Sequence, residues 1–360
     1  MEFEYRVAQD LRTAWLNFDT SIPLTPGPPA ALGQPPRNNP FYVQRPDRKI
    51  DELRVALSND FMEMAPPKYL LSGHKGCGKS TELLRLAADP RVQEKYWLVH
   101  FSIYKLADIN DLDFQDVLLL IGQQMFNQYH EQKGKLDNDL LNELNTWLGD
   151  MTQEIITVPK GRLSGELEAK ISAVLAELTS KVKIEPKTRI EIRQRIGRDI
   201  TGLTKIINQI IATIRQKENR YPLILIDDLD KPDLAISRQL FANKQALFLP
   251  QCPIIYTVST SLFYSPAIAM PNAVRKFLPN VKLHDKGDRT KRCSEGHYVL
   301  QTAIDRRMSS DLLTPEAKEL IATMSGGVFR ELARLVRASI ARAHPVPVAL
   351  AFIVGGFVIL

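Results

Sequence analysis

A chain of 360 residues that is 44% hydrophobic, 24% charged and 8% aromatic has the composition of an ordinary globular protein, large enough for one large or two medium domains, which excludes collagen-like, wholly disordered and multi-span membrane classes. Its 47 basic and 41 acidic side chains leave a net charge of +6, too small an excess to establish a polyanionic partner, although residues 160–220 alone hold fourteen basic and seven acidic side chains. Cys77, Cys252 and Cys293 are too few and too scattered for a disulfide framework or a zinc module, and an acidic start without an apolar leader adds to the expectation of reduced thiols and a cytoplasmic location.

In chain order, residues 1–20 hold Leu11, Trp15, Leu16 and Phe18, enough for a short amphipathic helix that docks on a larger body. Seven prolines and two glycines between Pro23 and Pro40 then predict an extended linker. Beyond it, β-rich runs at 68–72, 96–103, 223–226 and 253–258, with a weaker one at 280–283, alternate with helical patterns, which predicts a parallel α/β sheet. The long interval between the second and third strands reads as helices at 114–132, 136–148, 165–182 and 186–217. In the last of these Ile192, Ile196, Ile200, Leu203, Ile207, Ile210 and Ile214 recur every three or four residues, and Gly197 and Gly202 favour a bend. A helical pair over 314–343 is broken at Ser325-Gly326-Gly327. After Ala343 only seventeen residues remain, too few for a winged-helix reader. Residues 346–360 carry no charge and fall short of the ~20 residues that span a bilayer, so a truncated membrane segment, a partner-docking strand and an unrelated tail all stand open.

Two motifs carry chemistry. Gly73-His74-Lys75-Gly76-Cys77-Gly78-Lys79-Ser80 fits GxxxxGK[ST] between an apolar strand and a helical run that opens at Thr81. Small residues are needed there because several backbone N–H groups must converge on one polyphosphate; Lys79 then faces the β and γ phosphates and Ser80 the Mg²⁺. The second motif is Leu223-Ile224-Leu225-Ile226-Asp227-Asp228, an apolar strand ending in acids. Asp227 is the candidate Mg²⁺ group, directly or through water, and Asp228 the candidate that orients or deprotonates the attacking water. Asn243-Lys244-Gln245-Ala246 lacks the Asp of a guanine reader, which argues for ATP over GTP. The alternation of basic residues with isoleucines in the insertion favours a packing face over a phosphate-tracking one.

These motifs resemble the AAA+ and STAND group of P-loop ATPases, in particular the branch shared by origin-recognition ATPases and prokaryotic signalling or defence ATPases. The resemblance runs from about residue 39 to 343 and implies an α/β fold, a P-loop NTPase parallel sheet with a long helical insertion and a small C-terminal helical lid. The expected boundaries are 1–38 for the N-terminal segment and linker, 39–290 for the ATPase core with its insertion at about 104–218, 291–344 for the lid, and 345–360 for the tail. Asn39-Pro40-Phe41-Tyr42-Val43, followed by Arg45-Pro46-Asp47, is similar to the family's lead-in segment, which implies that Tyr42 and Val43 border the adenine. By the same resemblance Ser259 or Thr260 is the sensor group near the γ-phosphate, Arg330 in Met324-Ser325-Gly326-Gly327-Val328-Phe329-Arg330 is the lid residue that reaches the phosphates, and Arg275 is the positional match to an arginine finger, with a solvated loop arginine as the competing reading. Asp227-Asp228 departs from the Asp-Glu of most AAA+ members, which implies slow hydrolysis or a switch. The expected function is an ATP-binding, Mg²⁺-dependent ATPase switch that regulates or assembles a partner, in prokaryotic signalling or antiviral defence. The alternative is a non-hydrolysing ATP-bound scaffold that engages nucleic acid or protein through the basic insertion. Self-association or a protein partner is expected, nucleic acid stays open, and a membrane enters only through the apolar tail.

Overall fold

The computed structural model describes residues 5–21, 23–26, 39–58, 66–132, 134–153, 155, 167–242, 244–265 and 273–343; most of the proline-rich linker and the apolar tail lie outside them. The chain forms two compact units, one of Met1–Leu57, Gly73–Pro90 and Phe277–Leu360, the other of Ser58–Ser72 and Arg91–Lys276.

The second unit is built on a five-stranded sheet of β1 (Lys68–Gly73), β2 (Tyr96–Ser102), β3 (Tyr221–Asp227), β4 (Ile254–Val258) and β5 (Ala273–Leu278), in the order β2-β3-β4-β1-β5. The pairs β1/β4, β2/β3 and β3/β4 are parallel, with Ser72 opposite Val258 and Ser102 opposite Asp227, so these strands end along one edge. Leu223, Leu225, Ile224 and Ile226 are all fully buried, which is why β3 reads as an unbroken apolar run instead of an alternating one. The fifth strand falls at Ala273–Leu278 and not at 280–283. Val281 and Leu283 alternate inward because they join the apolar core of the first unit; an extended segment gives that period of two without belonging to the sheet.

The insertion contains helices Phe114–Glu131, Asn138–Thr152, Leu167–Ile184, Pro186–Arg198 and Ile200–Glu218. The helix expected over 186–217 is therefore two helices. Asp199 ends the first and caps the second by accepting from the Gly202 amide, and its carboxylate also accepts from the Trp147 indole at 3.1 Å, so a side-chain bond replaces helix continuity at that point. Ile207, Ile210 and Ile214 are buried, and their packing supplies the helix with most of its stability. Counted as a whole, residues 104–220 carry seventeen basic and seventeen acidic side chains. Arg189, 3% exposed, pairs with Asp108 at 3.1 Å and Asp111 at 2.5 Å, and Arg193 pairs with Asp111 and with buried Asp116. Arg195 reaches the carbonyls of Asp150, Met151 and Gln153, Lys205 pairs with Glu143, and Lys217 with Asp137. Most of the basic stretch is thus spent on holding its own helices to acidic and carbonyl groups of their neighbours.

In the first unit, helices Ser294–Asp305, Pro315–Met324 and Phe329–Ala343 share a core, and the turn at Gly326 and Gly327 takes positive φ at both residues, as the Ser-Gly-Gly break requires. The short helix Leu11–Asn17 docks there: Ala8 bridges to Met308, Asn17 donates to the Arg307 carbonyl at 2.7 Å, and the Arg337 guanidinium lies 4.2 Å from the Trp15 ring centre. Among the described residues no helix is long and apolar enough to cross a membrane.

Candidate functional site

The phosphate-loop motif leaves β1 and enters helix Lys79–Ala88. Gly76 and Gly78 hold φ of 89° and 102°, a conformation that turns successive amides toward one point and that L side chains rarely adopt. Gly78 is the N-cap and provides no side chain to accept from the first-turn amides, so the helix presents uncapped N–H donors and the positive end of its dipole. Buried Lys79 donates to the carbonyls of Gly73 at 2.8 Å and His74 at 3.2 Å, which holds its ammonium inside the loop. This donor set fits a polyphosphate. The Ser80 hydroxyl, next in the chain after Lys79, is a hard oxygen of the kind Mg²⁺ takes alongside phosphate oxygens and water. Among the described residues no group of three or more His, Cys, Asp or Glu is placed to hold a metal ion.

The start of helix Phe329–Ala343 sits directly on this loop. The Arg330 amide donates to the Gly76 carbonyl at 3.2 Å, and a Cβ on Gly76 would lie 2.5 Å from the Arg330 Cβ, so only glycine leaves room for the Val328-Phe329-Arg330 segment. The Arg330 side chain itself is exposed. Arg45, only 4% exposed, ties three parts together: it donates to the Cys77 carbonyl at 2.6 Å, to the Pro279 carbonyl and to Asp47, with its guanidinium 5.7 Å from the Phe329 ring centre. The lead-in segment is fixed as firmly. The Tyr42 hydroxyl donates to Glu82 at 3.0 Å, Arg85 donates to both, and Arg306 and Arg307 donate to the carbonyls of Tyr42 and Phe41. Burial pushes the Glu82 carboxyl up against the pull of Arg85 and Arg45; burial and the Glu82 charge raise the Tyr42 phenol well above its ordinary value. Val43 is buried in the lid core, Cys77 is buried in the loop, and the Thr81 hydroxyl accepts from the Leu24 amide at 3.3 Å. His74 and Lys75 are exposed.

The second unit carries the acids. Asp227 is 5% exposed and its carboxylate accepts from the Asp228 amide at 2.8 Å, while Asp228 takes a left-handed φ of 64°. Both Asp228 oxygens are engaged: one accepts from the Ser102 hydroxyl at 2.6 Å, the other pairs with Lys231 at 3.0 Å. Ser259 caps the short helix after β4 through the Leu262 amide, and it is Thr257, fully buried, whose hydroxyl accepts from the Leu229 amide and donates to the Ile226 carbonyl, pinning β4 to the acid-bearing end of β3. Arg275 lies within β5 and donates to the Phe263 carbonyl at 2.9 Å. Sequence reasoning passed over Arg45, Glu82, Arg85, Ser102 and Thr257. The Glu82/Arg85 spacing of three was the one available signal; the others depend on partners far along the chain.

No protein-family model matches the chain, and no curated protein matches it. Solved structures that resemble it include that of Drosophila ORC bound to DNA, at 10% identity and a TM-score of 0.48 over 99% of this chain and 69% of that one. The Aeropyrum pernix ORC1 protein in complex with DNA is similar at 12% identity and a TM-score of 0.45, over 88% and 66%, and Cdc6p from Pyrobaculum aerophilum at 12% identity and 0.40, over 94% and 67%. The chain thus spans about two thirds of the length of each.

Proposed function

We propose that the chain is an ATP-binding switch in which Lys79 and the loop amides hold the phosphates, Ser80 and Asp227 hold Mg²⁺, and Asp228 governs slow hydrolysis. The observation that carries this reading is the uncapped helix start at Gly78 with the Lys79 ammonium folded into the same loop. The Arg330–Gly76 backbone bond supports the switch, since phosphates that rearrange the loop also move the lid residue attached to it. With both oxygens committed to Ser102 and Lys231, Asp228 is restrained against rapid proton traffic, which favours a timer over a motor. We place Arg330 at the γ-phosphate, Tyr42 and Val43 at the adenine, Ser259 as the sensor and Arg275 as the candidate finger toward a second copy; signalling or defence is the proposed setting. Engagement of a partner by the insertion finds little support, because its cations are largely paired.

Labelled-ATP binding and phosphate release test the reading together. Lys79→Ala should lose tenfold or more in ATP affinity, because charge-assisted bonds of ~1.5 to 3 kcal/mol to the ligand are removed together with those its ammonium makes to the Gly73 and His74 carbonyls. Asp228→Asn should keep ATP binding and lower turnover. Wild-type affinity in Lys79→Ala would refute the site.

A further inference from the structure

Residues 282–292 hold Lys282, Lys286, Arg289, Lys291 and Arg292 against Asp285 and Asp288. They form a closed hairpin: His284 bridges antiparallel to Arg292, the Cys293 amide donates to the Leu283 carbonyl at 2.8 Å, and the Asp285 amide donates to the Lys291 carbonyl at 3.0 Å. Both acids are committed within it. Asp288 accepts from the Thr290 amide and hydroxyl at 2.9 and 2.6 Å, and Asp285 pairs with Lys291 at 3.1 Å; Arg292 in turn is held by Glu319 at 2.8 Å. Lys282, Lys286 and Arg289 are exposed and, among the described residues, have no hydrogen bond, ion pair or ring contact.

We propose that this hairpin is a contact surface for the phosphate backbone of a nucleic acid. Three unpartnered cations fall within eight residues on one turn, and none of the exposed large apolar side chains lies in residues 282–293, so what this stretch offers a partner is positive charge, the complement of a phosphate backbone. The exposed aromatic that follows, Tyr298, stands 68% exposed in helix Ser294–Asp305; Asp288 in the turn and Glu295 in the first turn of that helix are nearby acids without an ion pair among the described residues. The insertion contrasts with this. Its unpartnered cations among the described residues from Lys170 to Arg220 are Lys170, Lys187 and Arg198, spread over two helices.

The hairpin is also wired to the phosphate loop. The Val281 amide donates to the Gly327 carbonyl at 3.0 Å, Gly327 and Gly296 pack so closely on the Val281 and Lys282 backbones that neither has space for a side chain, and three residues beyond Gly327 the Arg330 amide binds Gly76. Nucleic-acid affinity should therefore respond to nucleotide; this part of the inference rests on the switch reading, and the surface itself does not.

Anisotropy of a labelled duplex of about 20 base pairs, titrated with the full chain between about 50 and 200 mM salt, tests it. Wild type should weaken steeply with salt. Lys282→Ala/Lys286→Ala/Arg289→Ala should bind tenfold or more weakly at low salt, with a log–log salt slope shallower by about 2 to 3, since each phosphate neutralised by a side chain adds ~0.9 to that slope. The control Lys170→Ala/Lys187→Ala/Arg198→Ala should stay within about twofold of wild type. Equal losses in both triple variants, absence of binding at low salt with every nucleotide, or equal competition by polyglutamate or phosphatidylserine vesicles would each overturn the proposal. Labelled ATP measured on the same samples separates the two readings: DNA binding that follows the hairpin while ATP fails to bind sinks the switch and leaves the surface, and the reverse result sinks the surface alone.

Discussion

The helical insertion and the phosphate-loop unit use positive charge in opposite ways. In the insertion, most arginines and lysines are spent on folding: Arg189 and Arg193 tie helix Pro186–Arg198 to the turn before helix Phe114–Glu131 through Asp108 and Asp111, and to that helix itself through Asp116. In the other unit, Lys79 is folded onto loop carbonyls, Arg330 projects outward from a backbone hook, and the 282–292 hairpin leaves three cations unpaired among its described neighbours. Local net charge therefore misidentifies the interactive region. A surplus within sixty residues says little about partners when an equal and opposite surplus packs against it, and what a partner meets is the unpaired charge.

This contrast can be broken most forcefully at Arg189. Arg189→Ala strips a buried cation from two partly exposed acids and two carbonyls and should destabilise the chain by about 2 to 3 kcal/mol in denaturant titration, with no change in DNA salt slope. Burial pushes the Asp111 carboxyl up, but Arg193 and Arg189 outweigh it and hold it below the ordinary 3.8. The contribution is thus complete above that value and lost as pH falls through the depressed one, so the variant should show a flatter acid limb. A stability loss under about 1 kcal/mol would mean that the lock is a surface pair. Arg45→Ala comes next. It frees the Cys77 and Pro279 carbonyls and should cost about 2 to 3 kcal/mol while weakening ATP binding about tenfold, whereas a stability loss at unchanged affinity would confine Arg45 to packing. The smallest effect belongs to Lys205→Ala, whose 2.6 Å pair with Glu143 lies on the surface; calorimetry should show less than about 1 kcal/mol, and a larger loss would make even the exposed rim of the insertion structural.

Much of the molecule was legible because its signals are local. The four buried strands announce themselves as apolar runs, the phosphate loop as glycines at fixed spacing, and the lid turn as Ser-Gly-Gly, since each depends on backbone conformation or burial within a few residues. Misreadings occur where local pattern and distant partner compete. Residues 280–283 alternate like a strand but bury their apolar side on lid helices, and the isoleucine period runs through Asp199 although that carboxylate stops one helix and starts the next.

The sequence by itself determined the α/β class, the presence of a glycine-rich loop of the GxxxxGK[ST] pattern ahead of an acid-tipped strand, and the helical character of both the insertion and residues 314–343. Only the tertiary structure decided which charges are free. Arg45 found Cys77 and Pro279, Arg193 found Asp116, and Asp228 found Ser102, across separations of 32 to 234 residues. The physical reason is that an ion pair or a side-chain hydrogen bond is a property of two positions in space: residue type fixes what a group offers, and the fold alone fixes whether anything is there to take it.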